Sequence, residues 1–268
     1  MTKLSHSANQ ATPDDAPPAT GRSPFIYENS RSKSLHFDEL AVQSSMRKDA
    51  PFDLEVGYTR TMMGFLLLHP APRDILIVGL GGGSLPKYCY RHLPNSRITT
   101  VEINSEVIAL RDEFAIPPDD ERFRVVHADG AQYFAGRWNS ADVIMLDGDD
   151  VEGVPPSLAS QEFFDQCAMA LRDNGVLVAN LCESDAQRGV YISRLRTAFD
   201  DRVMKAKAEC DRNKVVFALK RDRMPQEKTL LDRAADLEVT HCINFSSMAA
   251  QMRESIRRNT ALAGGRRS

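Results

Sequence analysis

No run of apolar residues in this 268-residue chain approaches the length of a membrane span; the longest, such as MMGFLLL, are far too short. Cysteine is scarce and unpaired in pattern. Cys89, Cys167, Cys182, Cys210 and Cys242 are odd in number, widely scattered and without a C-x-x-C, which argues against a disulfide framework and against a zinc knuckle. A charge excess of either sign is also missing. The 34 Lys plus Arg against 37 Asp plus Glu leave a net −3, so no overall basic field points to nucleic acid or to an anionic membrane. The N-terminal stretch MTKLSHSANQATPDDAPPAT has no apolar core of the kind an export signal needs. Histidines 69, 92 and 127 have no partner at ligand spacing, and no metal is expected. The surroundings of Ser84 lack G-x-S-x-G, which excludes a hydrolase elbow. The arginine-rich end (Arg253, Arg257, Arg258, Arg266, Arg267) reads as a solvated tail. These absences leave a cytoplasmic protein acting on a small molecule.

What is present is ordinary globular composition, 42% hydrophobic and 26% charged, enough for one large domain with small additions. Residues 1–23 lack hydrophobic periodicity and are expected to be a disordered tail. Residues 24–56 contain short, loosely alternating segments such as SLHFDELAVQSS, which predict a small antiparallel β segment. Across 57–220 the pattern becomes regular. YTRTMMGFLLL predicts a buried helix stopped by Pro70 and Pro72, with Met62 and Met63 in the core. β-branched runs (DILIV, RITTVE, RVVHA, ADVIML, GVLVANL) then alternate with amphipathic stretches, followed by two more strands, DRVMKAKAE and KVVFALK, expected as an edge hairpin. This predicts an α/β fold with a doubly wound, mostly parallel sheet. Residues 221–268 read as a polar, helical C-terminal extension, and no internal repeat is visible.

The ends of the strands carry the chemistry. Gly79-Leu80-Gly81-Gly82-Gly83-Ser84 follows the first parallel strand and precedes a helix with Pro86 in its first turn, where backbone can approach a ligand closely. Glu102 ends the next strand, at the spacing of a carboxylate that accepts ribose hydroxyls. Asp129 and Asp147 end the third and fourth. Ligands of open α/β sheets bind at these carboxyl ends. A dinucleotide would leave the later acids unexplained, whereas an adenosine bearing a positive centre accounts for all of them. The set points to a sulfonium of the S-adenosylmethionine type.

The stretch from about Phe37 to Phe164, half the chain, resembles the spermidine synthase (polyamine aminopropyltransferase) family. The family's G-G-G-D-G-G aligns on Gly79 to Ser84, V-E-I-D on Val101-Glu102-Ile103-Asn104, and G-D-G on Ala128-Asp129-Gly130. Its D-x-x-D aligns on Asp147-Gly148-Asp149-Asp150, and S/T-x-E-F-Y on Ser160-Gln161-Glu162-Phe163-Phe164. Upstream, Asp38 to Gln43 resembles L-D-G-x-x-Q, and Tyr58 the tyrosine of Y-H-E. The resemblance implies a methyltransferase-like Rossmann fold, a homodimer, and transfer of an aminopropyl group from decarboxylated S-adenosylmethionine to an amine. It implies that Gln43, the loop glycines (Gly79, Gly81, Gly82, Gly83), Glu102, Asp129 and Gly130 bind the cofactor, Glu102 at the ribose and Asp129 at the adenine amino group. Asp147 would take the amine's proton, while Tyr58 and Asp150 would contact the acceptor. The chain departs from the family at three places: Gly82 replaces the loop Asp, Thr59-Arg60 replace the H-E of Y-H-E, and no Y-P-x-G occurs between Ala206 and Asn213. Gly82 opens the alternative of a methyltransferase using intact S-adenosylmethionine, and the altered acceptor contacts that of a non-catalytic nucleoside- or amine-binding member.

Overall fold

The structure, a computed structural model, describes residues 23–39, 42–148, 153–182, 185–209 and 213–264, the side chains of 260–264 excepted. The expected disordered tail therefore lies outside the described residues apart from Ser23.

The residues expected to form the small β segment make a three-stranded antiparallel sheet of β1 (Phe25–Glu28), β2 (Ser32–His36) and β3 (Val42–Arg47). Register pairs Leu35 with Ser44 and His36 with Val42, so Gln43 is the extra residue of a bulge, a device that re-aims side chains at sheet edges and sites. The chain then forms α1 (Gly57–Met62), tightens into a 3-10 turn at Met63–Leu67, and stops before Pro70.

The main sheet has seven strands: β4 (Asp74–Val78), β5 (Arg97–Glu102), β6 (Phe123–His127), β7 (Ala141–Leu146), β8 (Leu171–Leu181), β9 (Val203–Lys207) and β10 (Lys214–Leu219). Their order is β6-β5-β4-β7-β8-β10-β9, with β4 to β8 parallel and β10 antiparallel to both of its neighbours. The hairpin is at the edge as the pattern predicts, with β10 inserted and only β9 outermost. The order reverses beside β4, so the glycine loop leaves the sheet at the switch point where open α/β sheets hold ligands.

Both faces of the sheet are covered, which is why its strands read as continuous apolar runs. Ile75, Ile77, Val143, Met145, Val176, Val178, Val215 and Phe217 join one core, and Leu76, Val78, Ile144, Leu177, Ala179 and Val216 join the other. The second core is closed by α4 (Gly130–Phe134), α5 (Gln161–Ala170) and α6 (Arg188–Ala198). The first lies under α1, the 3-10 turn and α2 (Ser84–His92). The polar stretch after Lys220 folds as α7 (Glu227–His241) and α8 (Phe245–Gly264), whose stripe of Leu230, Ala234, Phe245, Met248, Ala249 and Met252 is part of that same first core. Gly64 allows this close contact: a Cβ there would meet Phe217 at 2.9 Å and Met248 at 3.1 Å.

Candidate functional site

Strand parity decides what meets at the carboxyl end of the sheet. Met145 on β7 and Val178 on β8 face the first core, so Asp147 and Asn180, two residues on, face the same side, where α1 lies. Tyr58 on α1 accordingly donates its hydroxyl to Oδ2 of Asp147 at 3.0 Å, and the side-chain amide of Asn180 donates to Oδ1 at 3.2 Å. Burial pushes the Asp147 carboxyl up to about 6, against the opposing pull of these two hydrogen bonds. The carboxylate thus titrates just below neutrality, where a group that must take up a proton is useful.

The glycine loop reaches Asp147 through its backbone. Gly79 has φ +95°, and a Cβ on it would lie 2.2 Å from the Asp147 carbonyl oxygen, so only glycine lets β4 and β7 end this close together. Gly81 (φ +51°) and Gly83 (φ +69°) complete the turn into α2. Gly82 is different. Its φ is not in the left-handed region, and its β position is filled from outside: a Cβ would lie 2.7 Å from Ser44 Oγ and 2.9 Å from Phe114 Cδ1. The residue preceding Ser44 is Gln43, half-buried in its bulge.

Glu102 is 9% exposed at the end of β5. Its Oε2 accepts from the N–H of Leu80 and its Oε1 from the N–H of Asn104, both at 2.8 Å. Burial raises its affinity for a proton, and the N–H groups of Asn104, Leu80, Ile103 and Gly81 work against that rise. The Leu80 and Asn104 bonds fasten the glycine loop to the β5 turn. Asn104 caps α3 (Ser105–Ala109) by accepting from Glu106 N–H at 2.9 Å. Asp129 caps α4, its Oδ1 accepting from Ala131 N–H at 2.7 Å. Gly130, first in α4, permits contact with Val78, which a Cβ would approach to 2.8 Å. Asp150 lies outside the described residues.

The replacements of Y-H-E are absorbed by the scaffold. Thr59 Oγ1 donates to Val56 O at 2.6 Å, and Arg60 donates through Nε to Glu209 at 2.8 Å while also binding the carbonyls of Leu54 and Glu55. Three further residues of the site are not singled out by the sequence pattern. Asn180 interrupts an apolar strand, a signal that was there to be read, whereas the approaches of Asn213 to Asn180 and of Ser44 to Gly82 span the fold and leave no local trace. Lys87 is also buried, its Nζ donating to Phe114 O at 2.6 Å and contacting Met46 Sδ at 3.2 Å, and burial lowers its pKa to about 8. It ties α2 to the two elements that wall the glycine loop. Among the described residues no group of three or more His, Cys, Asp or Glu is placed to hold a metal, and no helix is long and apolar enough to cross a membrane.

A polyamine aminopropyltransferase of Neisseria meningitidis serogroup A is 37% identical over 233 residues, 86% of this chain and 89% of that protein. The solved structure of human methyltransferase-like protein 13 in complex with SAH has a TM-score of 0.63 at 27% identity, covering 69% of this chain and 92% of that one. A probable spermidine synthase from Corynebacterium glutamicum has a TM-score of 0.66 over 80% of this chain and 83% of its own, and at 20% identity it speaks for the shared methyltransferase-like Rossmann fold alone. The family described as Spermine/spermidine synthase domain matches residues 55–204, from just ahead of α1 into β9. With the glycine loop, Glu102, Asp129 and Asp147 all inside that match, this chain belongs to the spermine/spermidine synthase family.

Proposed function

We propose that the chain transfers an aminopropyl group from decarboxylated S-adenosylmethionine to a small amine, with Asp147 as the proton acceptor. The observation that carries this reading is the Tyr58–Asp147 pair beside the glycine loop, in a chain of this family. The amine nitrogen attacks the aminopropyl carbon bound to sulfur. As the N–C bond forms, the C–S bond breaks, its electron pair returns to sulfur, and neutral methylthioadenosine leaves. The nitrogen sheds a proton, which Asp147 takes. With a carboxyl near 6, about ten of every eleven Asp147 groups are ionised and ready at pH 7. Tyr58 holds the carboxylate from one side and favours its charged form, while Glu102 and Asp129, which also fasten the loop and cap α4, offer their remaining acceptor positions to ribose and adenine. Gln43 and the backbone of Gly81 to Gly83 line the approach, and Asp150 anchors the acceptor. The same reading includes a homodimer working in the cytoplasm, neither nucleic acid nor membrane being a partner.

A second reading, methyl transfer from intact S-adenosylmethionine, is favoured by one observation. Ser44 and Phe114 occupy the place into which an acid at position 82 would extend, so the loop offers no carboxylate to hold the amine of the decarboxylated cofactor or to repel the carboxylate of the intact one. The solved methyltransferase structure with SAH points the same way. Calorimetry with each cofactor, followed by incubation with a panel of amines, separates the readings. Methylthioadenosine is the product expected from the first, and S-adenosylhomocysteine alone would replace it by the second.

A further inference from the structure

Asn180 lies in the apolar run of β8 and is 6% exposed. A primary amide has two unlike ends, a nitrogen that donates and an oxygen that accepts. Because an ionised carboxylate can only accept, Asn180 must turn its nitrogen to Asp147, as it does at 3.2 Å. Its oxygen then faces β10, where it accepts from Nδ2 of Asn213 at 3.1 Å. The sheet builds this line. Val215 stands opposite Asn180 in the antiparallel register, and Asn213, two residues earlier, is the diagonal neighbour on the same face. Three strand ends thus place Asp147, Asn180 and Asn213 in a row with one direction of donation.

We propose that Asn213, acting through Asn180, is a positioning residue for Asp147, its donated hydrogen bond fixing which end of the Asn180 amide meets the carboxylate. The proposal rests on the role of Asp147 given above. Without a donor at 213, the orientation of the Asn180 amide follows the protonation state of Asp147. When Asp147 takes up a proton the amide is then able to turn, its oxygen accepting from the protonated carboxyl, which stabilises the neutral form. Asp147 loses a fixed orientation, and the Asn180 bond no longer favours its charged form over its neutral one. Among the described residues, Tyr58 already occupies the opposite oxygen of Asp147, and Arg60, two residues further along α1, is paired with Glu209 at 2.8 Å.

The test uses the full chain with Asn213→Ala and Asn213→Asp. The second keeps the shape of the side chain but, once ionised, removes the donor; the first removes it without adding charge, which separates donation from electrostatics. Titration of the Asp147 carboxyl by carbon NMR in the ligand-free protein is expected to move up from about 6 in both variants. Loss of one hydrogen bond to a charged group corresponds to a rise of about one pH unit, which lowers the ionised fraction at pH 6 roughly fivefold. Turnover should fall with it at pH 6, with cofactor Kd unchanged. An unmoved titration in both folded variants overturns the proposal, as does a moved titration with undiminished turnover. Wild-type protein inactive toward every cofactor and amine, with the titrations still moved, would count against the functional reading and leave the amide line supported.

Discussion

Replacing Gly82 by alanine should destabilise the protein, although glycine-to-alanine exchange at an unstrained backbone position is ordinarily favourable. The favourable part is the smaller conformational freedom of the unfolded chain, about 0.4–1 kcal/mol. Against it stands steric overlap. The new methyl would lie 2.7 Å from Ser44 Oγ, 3.1 Å from Ser44 Cβ and 2.9 Å from Phe114 Cδ1. Ser44 is buried on β3 and Phe114 is 1% exposed, so neither can swing into solvent. Overpacking of this kind costs about 1–3 kcal/mol. The net expectation is a loss of about 1–2 kcal/mol, which for a chain of this size lowers Tm by roughly 2–8 °C. Urea unfolding of Gly82→Ala, Ser44→Ala and the double variant provides the assay. Because Ser44→Ala removes the nearest atom and leaves Phe114 in place, the double variant should regain part of the loss, with a coupling of about 0.5–1 kcal/mol. Gly82→Asp should suffer at least as much, and should not by itself create a selective site for the decarboxylated cofactor. A Gly82→Ala protein as stable as wild type, or single effects that simply add, would show that the loop is open at this position and that the account of Gly82 is wrong.

Glu102→Gln should weaken cofactor binding and also lower Tm without ligand, since an amide has only one acceptor oxygen and leaves the N–H of Leu80 or Asn104 unpaired, at about 1–3 kcal/mol; an unchanged melting temperature would remove its role as a fastener of the loop. Lys87, near 8 when folded against its ordinary 10.5, binds fewer protons folded than unfolded between those two pH values. Wild type should therefore gain stability relative to Lys87→Gln as pH rises from 8 to 10.5, by an amount on the order of 3 kcal/mol, with the burial penalty fully present below 8; urea titrations at pH 7.5 and 10 would show it. Tyr58→Phe removes a donor to Asp147, so the acid limb of the pH–rate profile should move to higher pH, with little change in cofactor affinity.

The sequence carries most of the sheet because both of its faces are covered. ILIV and VIML are apolar at every position, the strand mark of two opposing cores, and the glycines and acids that close those strands stand in order. What is not legible is cross-sheet. β10 enters between β8 and β9, and it is this insertion, not any local pattern, that brings Asn213 to Asn180. The bulge at Gln43 sets Ser44 over Gly82, and Lys87 sits under Phe114 in a helix whose charged residues all read as solvated. The apolar stripes of α7 and α8 are interrupted by arginines and glutamates that pair with one another, as Arg253 and Arg257 do with Glu227, so a polar composition hides a core contribution. Asp129 illustrates the remaining difficulty: a residue that caps a helix and one that holds a ligand look the same in a sequence, and here Asp129 does the first with one oxygen.

The most direct test of the account is the rate of methylthioadenosine release as a function of pH, with decarboxylated S-adenosylmethionine and an amine acceptor, in wild type and in Asp147→Asn. Wild-type turnover should rise as pH passes through about 6, the value to which burial brings Asp147. The asparagine variant should lose that limb and about 10²–10⁴ in kcat, as expected when a positioned proton acceptor is removed, while its cofactor Kd stays within a small factor of wild type. Full turnover in Asp147→Asn, or a wild-type profile flat through pH 6, would contradict the assignment of Asp147 as the base.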